Sequence, residues 1–218
     1  MYNGLIQKER KGLFLGKTVQ IIPHLIDEIK ERWKEIAKEE KADVCIIELG
    51  GTVGDIEMEH FFEAARQMRR EYGKKGVMFC HLTYVPILNV VGEQKTKPTQ
   101  QSVDLLQSRG IQPDVIIGRS KNYLSKRSKH KISLFCNLKE DEVISNPDLS
   151  TVYELPLIFK KEGLLKLIER NLNINVKKDL VKWGKLVKSI KKPKKTINIA
   201  ICGKYTHLKD SYISILEA

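Results

Sequence analysis

Asp43-Val44-Cys45-Ile46-Ile47-Glu48-Leu49 runs directly into Gly50-Gly51-Thr52-Val53-Gly54-Asp55-Ile56-Glu57. The first seven residues are mostly β-branched or apolar and are bounded by a charged stretch and two glycines. That pattern predicts a short strand buried on both faces, as in a parallel sheet. The glycines allow a tight turn and a close approach of backbone to a ligand. Three carboxylates, Glu48, Asp55 and Glu57, flank the turn. A hard cation such as magnesium takes oxygen ligands, commonly one or two carboxylates plus nucleotide phosphates. An ordinary glycine-rich turn with helix-capping acids fits the same residues.

Outward from this junction the periodicity alternates. Thr18 to Glu40 predicts a helix, with Val19, Ile22, Leu25, Ile26, Ile29, Trp33 and Ile36 at helical spacing. Glu57 to Tyr72 predicts a second helix that ends near Gly73. Val77 to Val85 predicts a strand, Thr99 to Arg109 a helix stopped by Gly110, and Val115 to Gly118 a strand. Lys131 to Leu138 and Val143 to Ser145 are further strand candidates. Strands alternating with helices at this spacing imply an α/β fold, a parallel doubly wound sheet flanked by helices. Ligands on such sheets bind outside the carboxyl ends of the strands. After Pro156 the texture changes: Gly163 to Leu172 and Lys178 to Ile190 predict two amphipathic helices. Lys191-Lys192-Pro193-Lys194-Lys195-Thr196 reads as a linker. Ile197 to Cys202 then predicts the first strand of another α/β unit.

The chain has 218 residues, 41% hydrophobic and 30% charged, which is ordinary globular usage with material for a core. Its net charge of +12 favours anionic partners. Many lysines fall in patches around 8–11, 121–131 and 177–195, where interleaved aromatics for base stacking are scarce. A lysine-rich solvated surface therefore explains them better than a nucleic-acid site, and no nucleic-acid partner is expected. The four cysteines sit in or beside apolar runs and form no CxxC pair, which argues against zinc and redox motifs. They read as reduced, buried thiols of a cytoplasmic protein. No apolar stretch is long enough to span a membrane, and none is expected to.

A second loop, Gly92-Glu93-Gln94-Lys95-Thr96-Lys97-Pro98-Thr99-Gln100, lies between a predicted strand and a predicted helix. Lys95 and Lys97 are compact cations suited to phosphate oxygens. Thr96, Thr99 and Gln100 can donate hydrogen bonds, and a helix beginning near Pro98 adds backbone donors. The loop reads as a polyanion clamp, with a solvated turn carrying an N-cap threonine as the alternative. Arg119-Ser120 and Lys131 place further cations near strand termini. His81 also falls at the presumed ligand edge, although a satisfied core or rim histidine is the simpler reading.

ELGGTVGDIE, GEQKTKPTQ, GIQPDVIIGRS, KISLFCN and GKYTHLKDSYISILEA occur here in this order and spacing. Together they resemble the CTP synthase family over nearly the whole chain. The resemblance implies an incomplete P-loop fold of the dethiobiotin-synthetase type, joined to a class I glutamine amidotransferase domain. Residues 1–172 would be part of the synthetase (amidoligase) domain, 173–195 a helical, lysine-rich linker, and 196–218 the start of the glutaminase domain. It implies an ATP-dependent C–N ligase that makes CTP from UTP. ATP phosphorylates the uracil O4, and ammonia released from glutamine displaces that phosphate. CTP is implied as feedback inhibitor, magnesium as cofactor, ATP as co-substrate and a homotetramer as assembly, with the pyrimidine site near subunit contacts.

By the same resemblance Glu48 is a magnesium ligand. Asp55, Ile56 and Glu57 belong to a CTP-binding segment. Lys95, Thr96, Lys97, Pro98, Thr99 and Gln100 bind UTP or CTP, as does Lys131. Pro147, Asp148 and Leu149 lie near the ATP base. Departures from the family pattern are Gln101, commonly histidine, and Gly118, often cysteine. GxxxxGK(S/T) does not occur in the sequence. The glutaminase nucleophile is not identifiable either, since Cys202 lies in a strand-like run. These departures predict a chain that acts only with a complementary chain carrying the P-loop half, or a gene fragment. A non-catalytic pyrimidine-nucleotide-binding or regulatory module stays open as the second reading.

Overall fold

The computed structural model describes residues 1–88, 92–176, 179–195, 197–205 and 207–217. Lys178, Thr196, Thr206 and Ala218, which belong to the predicted second helix, linker and terminal motif, lie outside them. The chain divides into two compact units, Met1–Asp179 and Leu180–Ala218.

The larger unit opens with helix α1 (Tyr2–Arg10), a π-helical turn (Ile21–Leu25), α2 (Ile26–Glu39) and α3 (Glu59–Tyr72). Leu25, Ile26, Ile29 and Ala64 close one apolar cluster between α2 and α3, as the helical period of Leu25, Ile26 and Ile29 requires. Then follow β1 (Cys80–Tyr84), α4 (Lys97–Ser108), β2 (Val115–Ser120), α5 (Lys126–Phe135), β3 (Val143–Pro147), α6 (Leu155–Glu162) and α7 (Leu164–Leu172). The strands form one parallel sheet in the order β1-β2-β3, with Cys80 beside Val115 and Ile116 beside Val143.

Central β2 is apolar from Val115 to Gly118, where both its faces are covered. On one face Ile116 packs with Val85, Val103, Ile132, Cys136 and Val143, beneath α4 and α5. On the other, Val115 and Ile144 meet Leu164 and Leu167 of α7. Each such aliphatic side chain contributes about 1.5–3 kcal/mol when fully buried. Gly118 is required here for contact: a Cβ would sit 2.7 Å from Leu124 and 3.3 Å from Val85. The family's frequent cysteine at this position would therefore need Leu124 to move.

The start of the sheet is fixed by charge. Arg69 of α3 donates to both oxygens of Asp114 at 2.7 Å, and Asp114 also accepts from the Phe79 backbone at 2.7 Å. Both side chains are about 15% exposed or less (15% and 14%), so loss of one partner would strand a partly buried charge.

Three predicted strands are corrected. Asp43–Leu49 is not paired in the sheet, and Ile46 is 91% exposed. A strand is held by ladder bonds and cross-strand contacts, and among the described residues nothing supplies them there. Only Leu49 and Val53 pack inward, against Phe62, Leu106 and Ile111. Lys131–Leu138 is not a strand: residues 131–135 complete α5. Ser125 caps that helix by accepting from the Ser128 backbone at 3.1 Å, and buried Ser128, Ile132 and Cys136 follow at helical spacing. Ile197–Cys202 forms no strand among the described residues. The smaller unit instead contains α8 (Val181–Lys191) and the short α9 (Ile213–Glu217).

Candidate functional site

The segment after β1 is pinned from three sides. The Lys95 backbone donates to Pro86 at 2.8 Å, and Ile87 and Gln94 form an isolated antiparallel bridge. The Gln94 side chain spans the gap to the loop after β2. Its Nε2 donates to the Tyr123 carbonyl at 2.9 Å, and its Oε1 accepts from the Ser125 backbone at 2.9 Å. That one side chain ties the β1 loop to the start of α5. Between them lies a cleft of about 350 Å³ whose lining includes Glu93, Gln94, Tyr123, Arg127, Ser128 and Lys131.

Helix α4 begins inside the predicted clamp. Thr96 takes the N-cap position but makes no side-chain cap, and Pro98 stands in the first turn, where its missing N–H costs nothing. Thr96, Thr99 and Gln100 are buried. Gln100 Nε2 donates to Thr96 Oγ1 at 3.1 Å, and the hydroxyls of Thr99 and Thr83 are 3.2 Å apart. Thr99 thus ties α4 to β1, and Gln100 with Thr96 braces the first turn of α4 itself. Lys97 and Pro98 face solvent. Lys95 Nζ lies 2.6 Å from Glu93 Oε2. The hydrogen bond from Lys95 and its charge hold the Glu93 carboxyl below the usual carboxylate range, with help from the charges of Lys131 and Arg127.

Asp55, Ile56 and Glu57 are not brought to this cleft. Asp55 accepts from the Thr52 backbone at 2.8 Å, and Gly51, at φ +79°, has no room for a Cβ beside that carboxylate. All three residues are exposed. Gly54 faces Leu105, toward the other end of α4. Leu105 lies eight residues beyond Lys97, which is about 12 Å along a helix. Arg109 at that end pairs with Glu59, so the loop is joined to the C-terminal half of α4.

Glu48 is exposed in the unpaired segment. Among the described residues no group of three or more His, Cys, Asp or Glu side chains could hold a metal ion. Glu48 can supply one oxygen ligand, and the remainder of a coordination sphere would come from phosphates and water.

Pro147 ends β3 at the carboxyl edge of the sheet, and Asp148 and Leu149 follow it. Pro147 is buried, and the Asp148 backbone donates to the Ser120 carbonyl at 3.0 Å. The Asp148 carboxylate lies 3.8 Å from Arg119, and both line a shallow depression with Leu82, Thr83 and Tyr84. This depression and the cleft of Lys131 share no lining residue. His81 is the second residue of β1, not its end. It is buried, its Nε2 lies 3.0 Å from Ser102 Oγ, and burial pushes its pKa down. It is a core histidine.

Sequence reasoning singled out Lys95 and Lys131 but passed over Gln94, Tyr123 and Arg127, which complete the cleft. The lysine-rich run from Lys121 to Lys131 carried the only hint, and it reads as solvated surface without the helix register.

The sequence model described as CTP synthase N-terminus matches residues 1–174. The CTP synthase of Thermococcus gammatolerans is 53% identical over 219 aligned residues, covering 100% of this chain and 41% of that protein. Those of Pyrococcus furiosus and Aquifex aeolicus are 52% and 51% identical over the same span, covering 40% and 41% of their lengths. The chain spans about two fifths of the length of these curated relatives.

Proposed function

The chain belongs to the CTP synthase family, and from that premise we propose that it binds the acceptor nucleotide in the ATP-dependent amination of UTP to CTP. The observation that carries this reading is the convergence of the Lys95 loop, Arg127 and Lys131 on one cleft, joined by Gln94. Lys95, Lys97 and Lys131 neutralise the triphosphate of UTP, or of CTP as inhibitor. The backbone at the start of α4 adds donors and a favourable dipole. Thr96, Pro98, Thr99 and Gln100 fix where that helix starts.

Asp55, Ile56 and Glu57 recognise the pyrimidine nucleotide from the other end of α4. The assembly that family membership implies is a homotetramer with the pyrimidine site near subunit contacts. Glu48 gives one ligand to magnesium, which, when bound, neutralises phosphate charge. Pro147, Asp148 and Leu149 border the ATP base.

ATP phosphates are held by a P-loop that these 218 residues do not contain. A complementary chain or segment supplies it, and a glutaminase supplies ammonia. Residues 1–172 would be the synthetase part, 173–195 the linker and 196–218 the start of the glutaminase domain. Among the described residues no helix is long and apolar enough to cross a membrane. The proposed setting is the cytoplasm.

UTP amination with ATP and ammonia tests the reading. The expected outcome is UTP binding by the chain alone, with CTP formed only when the P-loop half is added. CTP formation by the chain alone would overturn the requirement for a complement. Saturable UTP binding with no turnover in any mixture would leave a nucleotide-binding module.

A further inference from the structure

Glu93 is the single acid among the described residues lining the cleft, and it lies in the most basic part of it. Its carboxylate contacts Lys95 at 2.6 Å, with both side chains 40% exposed, so water and a competing anion can reach the pair. Arg127 and Lys131 line the same cleft from α5. The Glu93 backbone is held independently of its side chain, because its carbonyl accepts from Leu88 at 3.2 Å. Gln94 next to it is fixed to Tyr123 and Ser125. The carboxylate can therefore leave Lys95 by a side-chain rotation, without the loop coming apart.

We infer that Glu93 is a built-in counter-anion: it occupies Lys95 in the empty cleft and is displaced when the polyphosphate chain of a nucleotide binds. The inference rests on the nucleotide reading above and adds to it a competitor within the chain and a further cation, Arg127. An internal carboxylate holds Lys95 against Glu93 at the edge of the cleft while lowering affinity for any incoming anion. Weakly bound monoanions do not repay the exchange, whereas a triphosphate, with several oxygens for Lys95, Arg127 and Lys131, does.

The test is calorimetric titration of the full 218-residue chain with UTP and with inorganic tripolyphosphate. It compares the unmodified chain with Glu93→Gln, Lys95→Met, Lys131→Met and the Glu93→Gln/Lys95→Met double variant. Glu93→Gln should tighten binding of both ligands about two- to fivefold, the scale of an exposed ion pair. In the Lys95→Met background the same change should have almost no effect, since the partner it releases is gone. Equal or weaker binding by Glu93→Gln overturns the inference. So does a gain that persists without Lys95, which marks a diffuse charge effect. If the unmodified chain binds both ligands and loses them on Lys131→Met while Glu93→Gln gains nothing, only the counter-anion falls. If neither ligand binds the unmodified chain or Glu93→Gln, the nucleotide reading falls and takes this inference with it.

Discussion

The two loops with the strongest chemistry in their sequence are built in opposite ways. The loop from Gly92 to Gln100 is bonded to Pro86, to Tyr123 and to Ser125, and three of its polar residues are buried. The loop from Glu48 to Glu57 is mostly exposed: Asp55 holds its turn by accepting from Thr52, and Leu49 and Val53 anchor it on the apolar cluster of Phe62, Leu106 and Ile111. The first is organised before any ligand arrives. The second presents carboxylates whose positions await something else, be it a nucleotide, a cation or another chain. A shared family motif thus says which residues meet a ligand, and not which of them the chain alone holds ready.

Cysteine chemistry gives the sharpest test of that difference. Cys136 packs behind the cleft, where burial pushes its thiol up to about 11 and the charge of Asp104 adds to the shift. The expectation of four buried cysteines holds for Cys136 alone: Cys45, Cys80 and Cys202 are exposed, Cys45 in the stretch leading to the loose loop. Under native conditions near pH 8, Cys136 should react with a thiol-specific disulfide reagent at least about a hundredfold more slowly than Cys45. Comparable rates, followed by mass spectrometry of the modified peptides, would mean the rigid region opens as readily as the loose one.

Ligand affinity comes next. Lys131→Met should weaken UTP binding by about tenfold or more, as expected for a charge-assisted bond. Asp55→Ala in the isolated chain should change it less than about twofold. A large loss from Asp55→Ala in a monomer, read by calorimetry with sedimentation as a check, would bring the two loops together within one chain and refute their separation along α4.

Stability should divide along the same line. Thr99→Val removes a buried hydroxyl that faces Thr83 and should cost about 1 kcal/mol in denaturant unfolding. Asp55→Asn, at an exposed turn, should cost a few tenths. Equal costs would erase the contrast.

The smallest expected effect is on pH. Glu162 is desolvated, yet its bonds to Lys129 of α5 and the Ser145 backbone, 2.7 and 2.8 Å, hold its pKa below the ordinary value of 4.5. A carboxyl depressed on folding stabilises the fold above its unfolded pKa and loses that contribution as pH falls through the folded one. Stability should therefore decline below about pH 4.5, and Glu162→Gln should flatten part of that decline. If acid unfolding is unchanged in Glu162→Gln, the pair does not help to seat α5 on the sheet.

Much of the architecture was legible in the sequence. The helices covering Thr18–Glu40, Glu57–Tyr72 and Thr99–Arg109 and the strands at Val77–Val85, Val115–Gly118 and Val143–Ser145 reappear with shifted ends, because periodicity over a long window is a strong signal. Lys131–Leu138 failed because Ile132, Leu134 and Phe135 form a short apolar run that suits either structure. The deciding residues lay partly outside that window: Ser125 as cap, and Leu124 and Ser128, which place Ile132 and Cys136 in a series at intervals of four. Asp43–Leu49 failed for a different reason. A strand's existence depends on a neighbour that may be far away in sequence, and composition does not reveal whether one is present. For the site, Lys95 and Lys131 could be named from residue type. Gln94 and Arg127 could not, since their roles come from the crossing of two loops that are separate in sequence.

That crossing limits what can be exchanged. Gln94 serves as the strut between two loops, so neither is an independent module. Grafting the GEQKTKPTQ segment onto another α/β scaffold without the Tyr123–Ser125 turn would leave the amide unanchored, and its lysines would fan into solvent. A protein engineer would have to transplant both loops with their strands, and natural variation at Gln94 should travel with changes in the turn it braces.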